Sequence, residues 1–267
     1  MRTALLDEVE DVMRTVASQV IVPRFGALAH GDVEDKGDGD LVTVADREAE
    51  QLIAEALLDL LPGARVVGEE QTARQPDLLE RLDQGDVWLI DPLDGTGNFV
   101  EGTPCFATMI ALLSKGETVA AWLLDPLTDK MARAERGAGA WFGGQRMYAD
   151  IDAPAAENLR GAVLVKYMPR ALREHVQDRL PRISEALPGT RCAGAEYPAI
   201  ATGQQDFAVF WRTLPWDHAP GALFVTEAGG VAARFDGAPY RVADERAGLL
   251  VARNRAIWDE AQRALLV

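Results

Sequence analysis

Serine occurs only at Ser18, Ser114 and Ser184, cysteine only at Cys105 and Cys192, and histidine only at His30, His175 and His218. The serines stand in no Gly-x-Ser-x-Gly turn and the histidines form no His-x-x-x-His pair, which argues against serine-hydrolase and zinc-protease chemistry. Two distant cysteines without a Cys-x-x-Cys spacing argue against a disulfide scaffold or structural zinc, and both are expected as small buried side chains. No Gly-x4-Gly-Lys-Ser/Thr segment is present for a P-loop. No apolar run approaches the roughly 18 residues of a membrane span, and the acids after Met1 and Arg2 depart from a signal peptide's basic-then-apolar order. A cytoplasmic protein without membrane attachment is expected. Positive charge is also scarce: 27 Lys and Arg against 42 Asp and Glu in 267 residues leave a formal charge of −15. That sign suits neither a nucleic-acid polymer nor an anionic membrane as partner.

What is present is a normal globular stock, 48% hydrophobic and 26% charged, enough for one large domain or two small ones. Leu5, Leu6, Val9, Val12, Met13, Val16 and Val20 recur at helical spacing and predict a helix over 3–25. The acidic, glycine-bearing stretch from His30 to Asp40 predicts a mobile loop, and a second helix follows over 44–61, stopping at Pro62-Gly63. Strand-like segments at 65–67, 87–90, 106–113, 118–124 and 130–135 predict a mostly antiparallel sheet. Beyond the glycine-rich stretch 137–144, strands at 162–166, 207–211, 231–235 and 248–252 alternate with helices at 170–186, 197–203, 217–228 and 254–266. The expected organisation is an N-terminal α+β half, residues 1–142, and a C-terminal α/β half, residues 143–267, joined by an extensive interface.

The chemistry concentrates in Trp88-Leu-Ile-Asp91-Pro92-Leu93-Asp94-Gly95-Thr96-Gly97-Asn98-Phe99. An apolar strand delivers two carboxylates into a Pro and Gly turn, where a following helix would expose free backbone N–H groups. Read as half a dinucleotide fingerprint, the segment has Val100 in place of the third glycine and would set Asp91 and Asp94 against a pyrophosphate. Upstream, Val66-Val67-Gly68-Glu69-Glu70 is a second strand ending in acids, and downstream Pro215-Trp216-Asp217 places an aspartate at a helix start. Each acid alone is explained as a cap or turn residue. As a converging set they repel, by roughly 4 kcal/mol per pair at 4 Å and an effective dielectric of 20, and call for divalent cations. An oxygen-only donor set suits Mg²⁺. A metal-free glycosidase-like carboxylate pair is the competing reading, and the adjoining N–H groups favour the metal.

The segments Asp40-Leu-Val-Thr-Val-Ala-Asp46, Gly68-Glu69-Glu70, Trp88 to Phe99, and Pro215-Trp216-Asp217 with Thr226-Glu-Ala-Gly-Gly230 together resemble the inositol monophosphatase family. That family comprises lithium-sensitive, Mg²⁺-dependent phosphomonoesterases sharing a layered fold with fructose bisphosphatases. The resemblance implies an α/β (α+β) protein built as an αβαβα sandwich, and a homodimer. It implies one Mg²⁺ on Glu69, Asp91 and the Leu93 carbonyl, a second on Asp91, Asp94 and Asp217, and a third, weaker one supported by Glu69. The attacking water would be activated by Thr96 working with Asp46, and the N–H groups near Gly95 and Thr96 would cradle the phosphate. Lys36 matches a basic residue of the family's mobile loop, and Glu70 is either a neighbour of the metal ligands or surface.

The sequence departs from the family on the leaving-group side. Phe210 stands where inositol phosphatases carry an acid for ring hydroxyls. Phe210 and Trp211 read either as strand core or as an aromatic surface, Arg212 suits a second anionic group better than a polyol, and Glu196 is the candidate for hydroxyl recognition, with Asp94 and Asp217 also facing the substrate. The expected activity is hydrolysis of a small phosphate monoester, inositol-1-phosphate-like, by metal-activated water. The alternatives are a 3′-phosphoadenosine 5′-phosphate phosphatase, a histidinol-phosphate phosphatase, or a non-catalytic metal-binding regulatory partner protein.

Overall fold

The computed structural model describes residues 3–37, 40–148, 158–244 and 246–267; Met1 and Arg2, and Asp38 and Gly39 of the acidic stretch, lie outside them. The chain opens with α1 (Thr3–Val16), extended by a wider turn (Ala17–Ile21) and a tight one (Val22–Arg24). It continues through β1 (Val33–Asp35), β2 (Leu41–Thr43), α2 (Val44–Leu60), β3 (Arg65–Gly68), α3 (Glu69–Arg74), β4 (Asp86–Asp94) and α4 (Thr96–Val100). Next come β5 (Ala107–Ser114), β6 (Glu117–Asp125), β7 (Lys130–Glu135), β8 (Gly139–Phe142) and β9 (Gln145–Arg146). The remainder is β10 (Arg160–Val163), α5 (Arg170–Gln177), β11 (Glu185–Leu187), α6 (Ala193–Ala201), β12 (Phe207–Phe210), α7 (Pro215–Glu227), β13 (Val231–Ala233), β14 (Leu249–Ala252) and α8 (Arg255–Leu265).

Strands β3 to β9 form a sheet in sequence order, parallel only between β3 and β4. A second sheet has the order β11-β10-β12-β14-β13 and mixes parallel and antiparallel pairs. The period-2 alternation of buried strands assigns the layers. Trp88 and Ile90, Ile110 and Leu112, and Trp122 and Leu124 pack with the apolar faces of α1 and α2. Met109 and Leu123 from the other face join Ala208, Phe210, Leu249 and Val251 of the second sheet around Tyr197, Ile200 and Phe224 of α6 and α7. The opposite face of that sheet, Phe207, Val209, Leu250 and Ala252, packs on Val176 of α5 and Ile257 and Trp258 of α8. The result is the layered αβαβα sandwich.

Two expectations change. The acidic stretch is not one open loop: β1 pairs antiparallel with β2, and the Lys36 N–H donates to the Asp40 carbonyl at 2.8 Å. The helix expected over 170–186 stops at Gln177, because Pro181 has no N–H to continue it and disfavours helix at the residue before; Glu185–Leu187 then leaves as a strand parallel to β10.

The middle layer depends on close helix contact. A Cβ on Gly221 of α7 would stand 2.0 Å from Cδ2 of the fully buried Tyr197 on α6. Gly221→Ala is expected to destabilise the protein by about 1–3 kcal/mol through overpacking, read as a lowered denaturant midpoint at unchanged slope.

Candidate metal and phosphate site

A cavity of about 440 Å³ opens where the ends of β3 and β4 meet the start of α7, and Asp40, Glu69, Asp91, Asp94, Thr96 and Asp217 line one side of it. Glu69 is delivered by β3, which ends at Gly68. Asp91 and Asp94 are three apart, so an unbroken strand would point them to opposite faces. The register between β4 and β5 shifts between them, and this irregularity turns both toward the same cleft. The Leu93 N–H donates to Asp91 Oδ1 at 3.1 Å, and Gly95, at φ 86°, makes the reversal into α4. A side chain there would meet the Cys105 carbonyl at 2.9 Å, so the turn requires glycine. Pro215 starts α7 and leaves Asp217 in its first turn, where the helix dipole favours a carboxylate.

Asp46 has one oxygen for the fold and one for the cleft. Its Oδ2 accepts from the Thr43 N–H and hydroxyl, closing a capping box at the start of α2. Its Oδ1 faces the Thr96 hydroxyl at 3.1 Å, and that hydroxyl also lies 2.9 Å from the Leu93 carbonyl. One turn further along α2, Glu50 accepts from the Glu70 and Gln71 N–H groups, both at 2.8 Å, and so caps α3. The sequence reading missed Glu50; its position four residues after Asp46, on the same helix face, was the available signal.

Lys36 reaches across from the end of β1 and donates to Glu69 and Glu70, each at 2.9 Å. Burial works against its charge, yet the two carboxylates hold its pKa above the usual lysine value. Glu70, 5% exposed, is therefore not surface. The acids themselves are pushed the other way. Burial, then the charges of Glu69, Asp94 and Asp217, raises Asp91 well above the carboxylate range. Burial, then Asp94 and Glu69, does the same to Asp217, against the opposing charge of Arg212. Burial lifts Glu69 to about 7 despite Lys36, and lifts Asp94 to about 6 although the Gly194 N–H at the start of α6 donates to its Oδ2 at 2.6 Å. Asp46 rises to about 6, again chiefly from burial.

Among the described residues no three Asp, Glu, His or Cys side chains are already arranged to hold a metal ion. Glu69 is turned onto Lys36, Asp94 onto Gly194 and Asp91 onto its own turn. The donor chemistry nonetheless fits a hard divalent cation: oxygen atoms only, more negative charge than Lys36 balances, and a carbonyl at Leu93 beside them.

On the opposite wall the structure chooses between the two readings of Phe210. Phe210 is strand core, 5% exposed, stacked on Tyr197 with ring centroids 5.6 Å apart and edge-on to His218 at 4.8 Å. Trp211 leans on Phe235 at 6.1 Å. Glu196 borders the cleft, but its Oε1 accepts the Thr190 N–H and hydroxyl, at 2.6 and 2.8 Å, and its Oε2 accepts from Gln205 at 2.6 Å. It holds the loop before α6. Asn98 ties the same loop to the metal side by donating to the Cys105 and Thr190 carbonyls at 2.7 and 2.8 Å. Cys192 is buried as expected, whereas Cys105 is half-buried, because it sits at the rim of the turn that closes over Gly95. Arg212 lines the cleft with its guanidinium carbon 4.4 Å from the Tyr167 ring centroid.

The profile of the inositol monophosphatase family matches residues 5–265. This chain belongs to that family. An inositol-1-monophosphatase of Mesorhizobium japonicum is 33% identical over 271 residues, covering 99% of this chain and 96% of the relative. A fructose-1,6-bisphosphatase/inositol-1-monophosphatase of Aquifex aeolicus is 30% identical over 260 residues, covering 94% and 92%. The native structure of extragenic suppressor protein suhB from Bartonella henselae aligns at a TM-score of 0.84 and 26% identity over 99% of both chains. As a member of the inositol monophosphatase family the chain is a phosphatase of phosphate monoesters, in a family that generally depends on Mg²⁺. The relatives' names differ in substrate, so membership leaves the leaving group open. No helix among the described residues is long and apolar enough to cross a membrane.

Proposed function

We propose that this protein hydrolyses a small phosphate monoester, inositol-1-phosphate-like in size, with Mg²⁺ held by Glu69, Asp91 and the Leu93 carbonyl, by Asp91, Asp94 and Asp217, and more weakly at Glu69 alone. The observation that carries the reading is that Glu69, Asp91, Asp94 and Asp217, from three separate segments, line one cleft beside the Thr96–Asp46 pair. Bound Mg²⁺ would supply positive charge that lowers the pKa of water and offsets charge on the phosphoryl oxygens.

The protein's own groups do the rest. The first-turn amides after Gly95 have no partner within α4 and border the cleft, where they would donate to an ester phosphate. When the Thr96 hydroxyl donates to Asp46 Oδ1, its lone pairs turn outward to take a proton from an attacking water, and its own proton passes to Asp46. A carboxyl near 6 is matched to accept that proton close to neutral pH. Lys36 donates to Glu69 and Glu70 and so keeps the Glu69 carboxylate at the cleft; a cation held at Glu69 would compete with that contact. No serine, cysteine or histidine nucleophile is required.

The test is phosphate release from inositol 1-phosphate, fructose 1,6-bisphosphate, 3′-phosphoadenosine 5′-phosphate and histidinol phosphate. Release is expected with Mg²⁺, lost on chelation, restored by added Mg²⁺ and inhibited by Li⁺. Release that persists unchanged in chelator would remove the metal from the reading.

A further inference from the structure

The carboxylate-lined side of the cleft is explained by metal and phosphate; the facing wall is not. It is built from the end of β10 and the residues after it (163–167) and from the end of β12 (210–212). This wall offers cations. The Arg212 guanidinium carbon lies over the Tyr167 ring at 4.4 Å and the Lys166 nitrogen over the same ring at 4.9 Å, so one half-exposed tyrosine carries two positive groups. Among the described residues neither cation has a carboxylate within ion-pair distance, unlike Arg191 on the same rim, which Glu101 holds with two bonds of 2.8 and 2.9 Å. In a chain of formal charge −15, two unpaired cations on a substrate-facing wall are against the general trend.

Arg212 is also fixed in place. His218 Nε2 lies 2.9 Å from the Arg212 carbonyl and its Nδ1 lies 2.7 Å from the Tyr197 hydroxyl. A carbonyl can only accept, so Nε2 carries the proton and the tyrosine donates to Nδ1. The backbone of Arg212 is thereby tied to α7, one residue from Asp217. Contact with the Tyr167 ring holds the guanidinium at the cleft and leaves N–H groups for a planar or tetrahedral anion. The two positions considered for polyol recognition do not supply it: Phe210 is apolar and both Glu196 oxygens already accept from Thr190 and Gln205.

We infer that Arg212, stacked on Tyr167 and flanked by Lys166, is a specificity-determining site for a second anionic group on the leaving alcohol, so that preferred substrates are bisphosphates or phosphorylated acids rather than esters of neutral polyols. The inference rests on the phosphatase reading of the cleft and names the substrate class for it.

Two matched comparisons test it with Mg²⁺ present: fructose 1,6-bisphosphate against fructose 1-phosphate, and 3-phosphoglycerate against glycerol 1-phosphate. They separate a phosphate from a carboxylate as the second anion. The dianionic member is expected to have the higher kcat/KM by roughly 10- to 100-fold in at least one pair, the range of a charge-assisted contact. In Arg212→Gln and in Tyr167→Ala that ratio should fall to about one through a raised KM for the dianionic member, while Arg212→Lys and Tyr167→Phe retain part of it. A wild-type ratio near one in both pairs overturns the inference and leaves the phosphatase reading standing. So does an equal loss on both members in Arg212→Gln, which would assign the arginine to the reacting phosphate. Turnover of none of the four, with release from inositol 1-phosphate or histidinol phosphate retained, overturns the inference alone; no release from any of these substrates overturns both readings.

Discussion

Asp91→Asn is expected to reduce Mg²⁺-dependent phosphate release by on the order of 10³-fold or more while the protein remains folded. Asp91 is 1% exposed, projects from the interior of β4 and is the acid on which the charges of Glu69, Asp94 and Asp217 all act. Asparagine keeps the shape and still offers an oxygen to the Leu93 N–H. What it removes is the charge that two cations would share. The same change relieves repulsion among buried carboxylates, so in chelator the variant should melt no lower than the parent. Added Mg²⁺ should then raise the melting temperature of the parent far more than that of the variant, since a ligand stabilises only the state that binds it. Undiminished Mg²⁺-dependent turnover in Asp91→Asn would count decisively against the assigned bridge.

Thr96→Ala is expected to lower kcat by roughly 10²- to 10⁴-fold with KM moved far less, the range for loss of positioned proton transfer. The hydroxyl lies 3.1 Å from Asp46 Oδ1 and 2.9 Å from the Leu93 carbonyl. Thr96→Ser, which keeps the oxygen, should recover most of the rate, and steady-state kinetics on one substrate separates the two variants from wild type. A raised KM at unchanged kcat would instead make Thr96 a phosphate-binding group. The Thr43 donors hold Asp46 independently of Thr96, so the alanine variant should leave the cap of α2 intact.

The local motifs were readable because they obey short-range rules. Apolar strands run into acids at Glu69 and Asp91, a glycine is needed at position 95, and Pro215 starts a helix that carries Asp217 in its first turn. Element boundaries failed where a distant partner decided them. Residues 33–35 pair with 41–43 and are pinned by Lys36 on Glu69 and Glu70, which no local pattern announces. Residues 185 and 186 read as the end of a helix because their own sequence does not resist it, yet β10 offers the segment 185–187 a parallel partner. Glu196 reads as a free carboxylate, and only the folded loop brings Thr190 and Gln205 to both of its oxygens.

By itself the sequence determined the kinds of ligand atom available and the strand and helix ends that carry them, because residue type and near-neighbour spacing fix those. Only the tertiary structure decided that Glu69, Asp91, Asp94 and Asp217 share one cleft, where burial and then neighbouring carboxylates raise Asp91 and Asp217, that Asp46 divides its two oxygens between a helix cap and Thr96, and that Arg212 lies on Tyr167 across from them. Such groupings follow from sheet register, the irregularity between Asp91 and Asp94, and the packing of α6 on α7. Those are long-range outcomes of burying apolar faces, and they depend on the whole core rather than on any one segment.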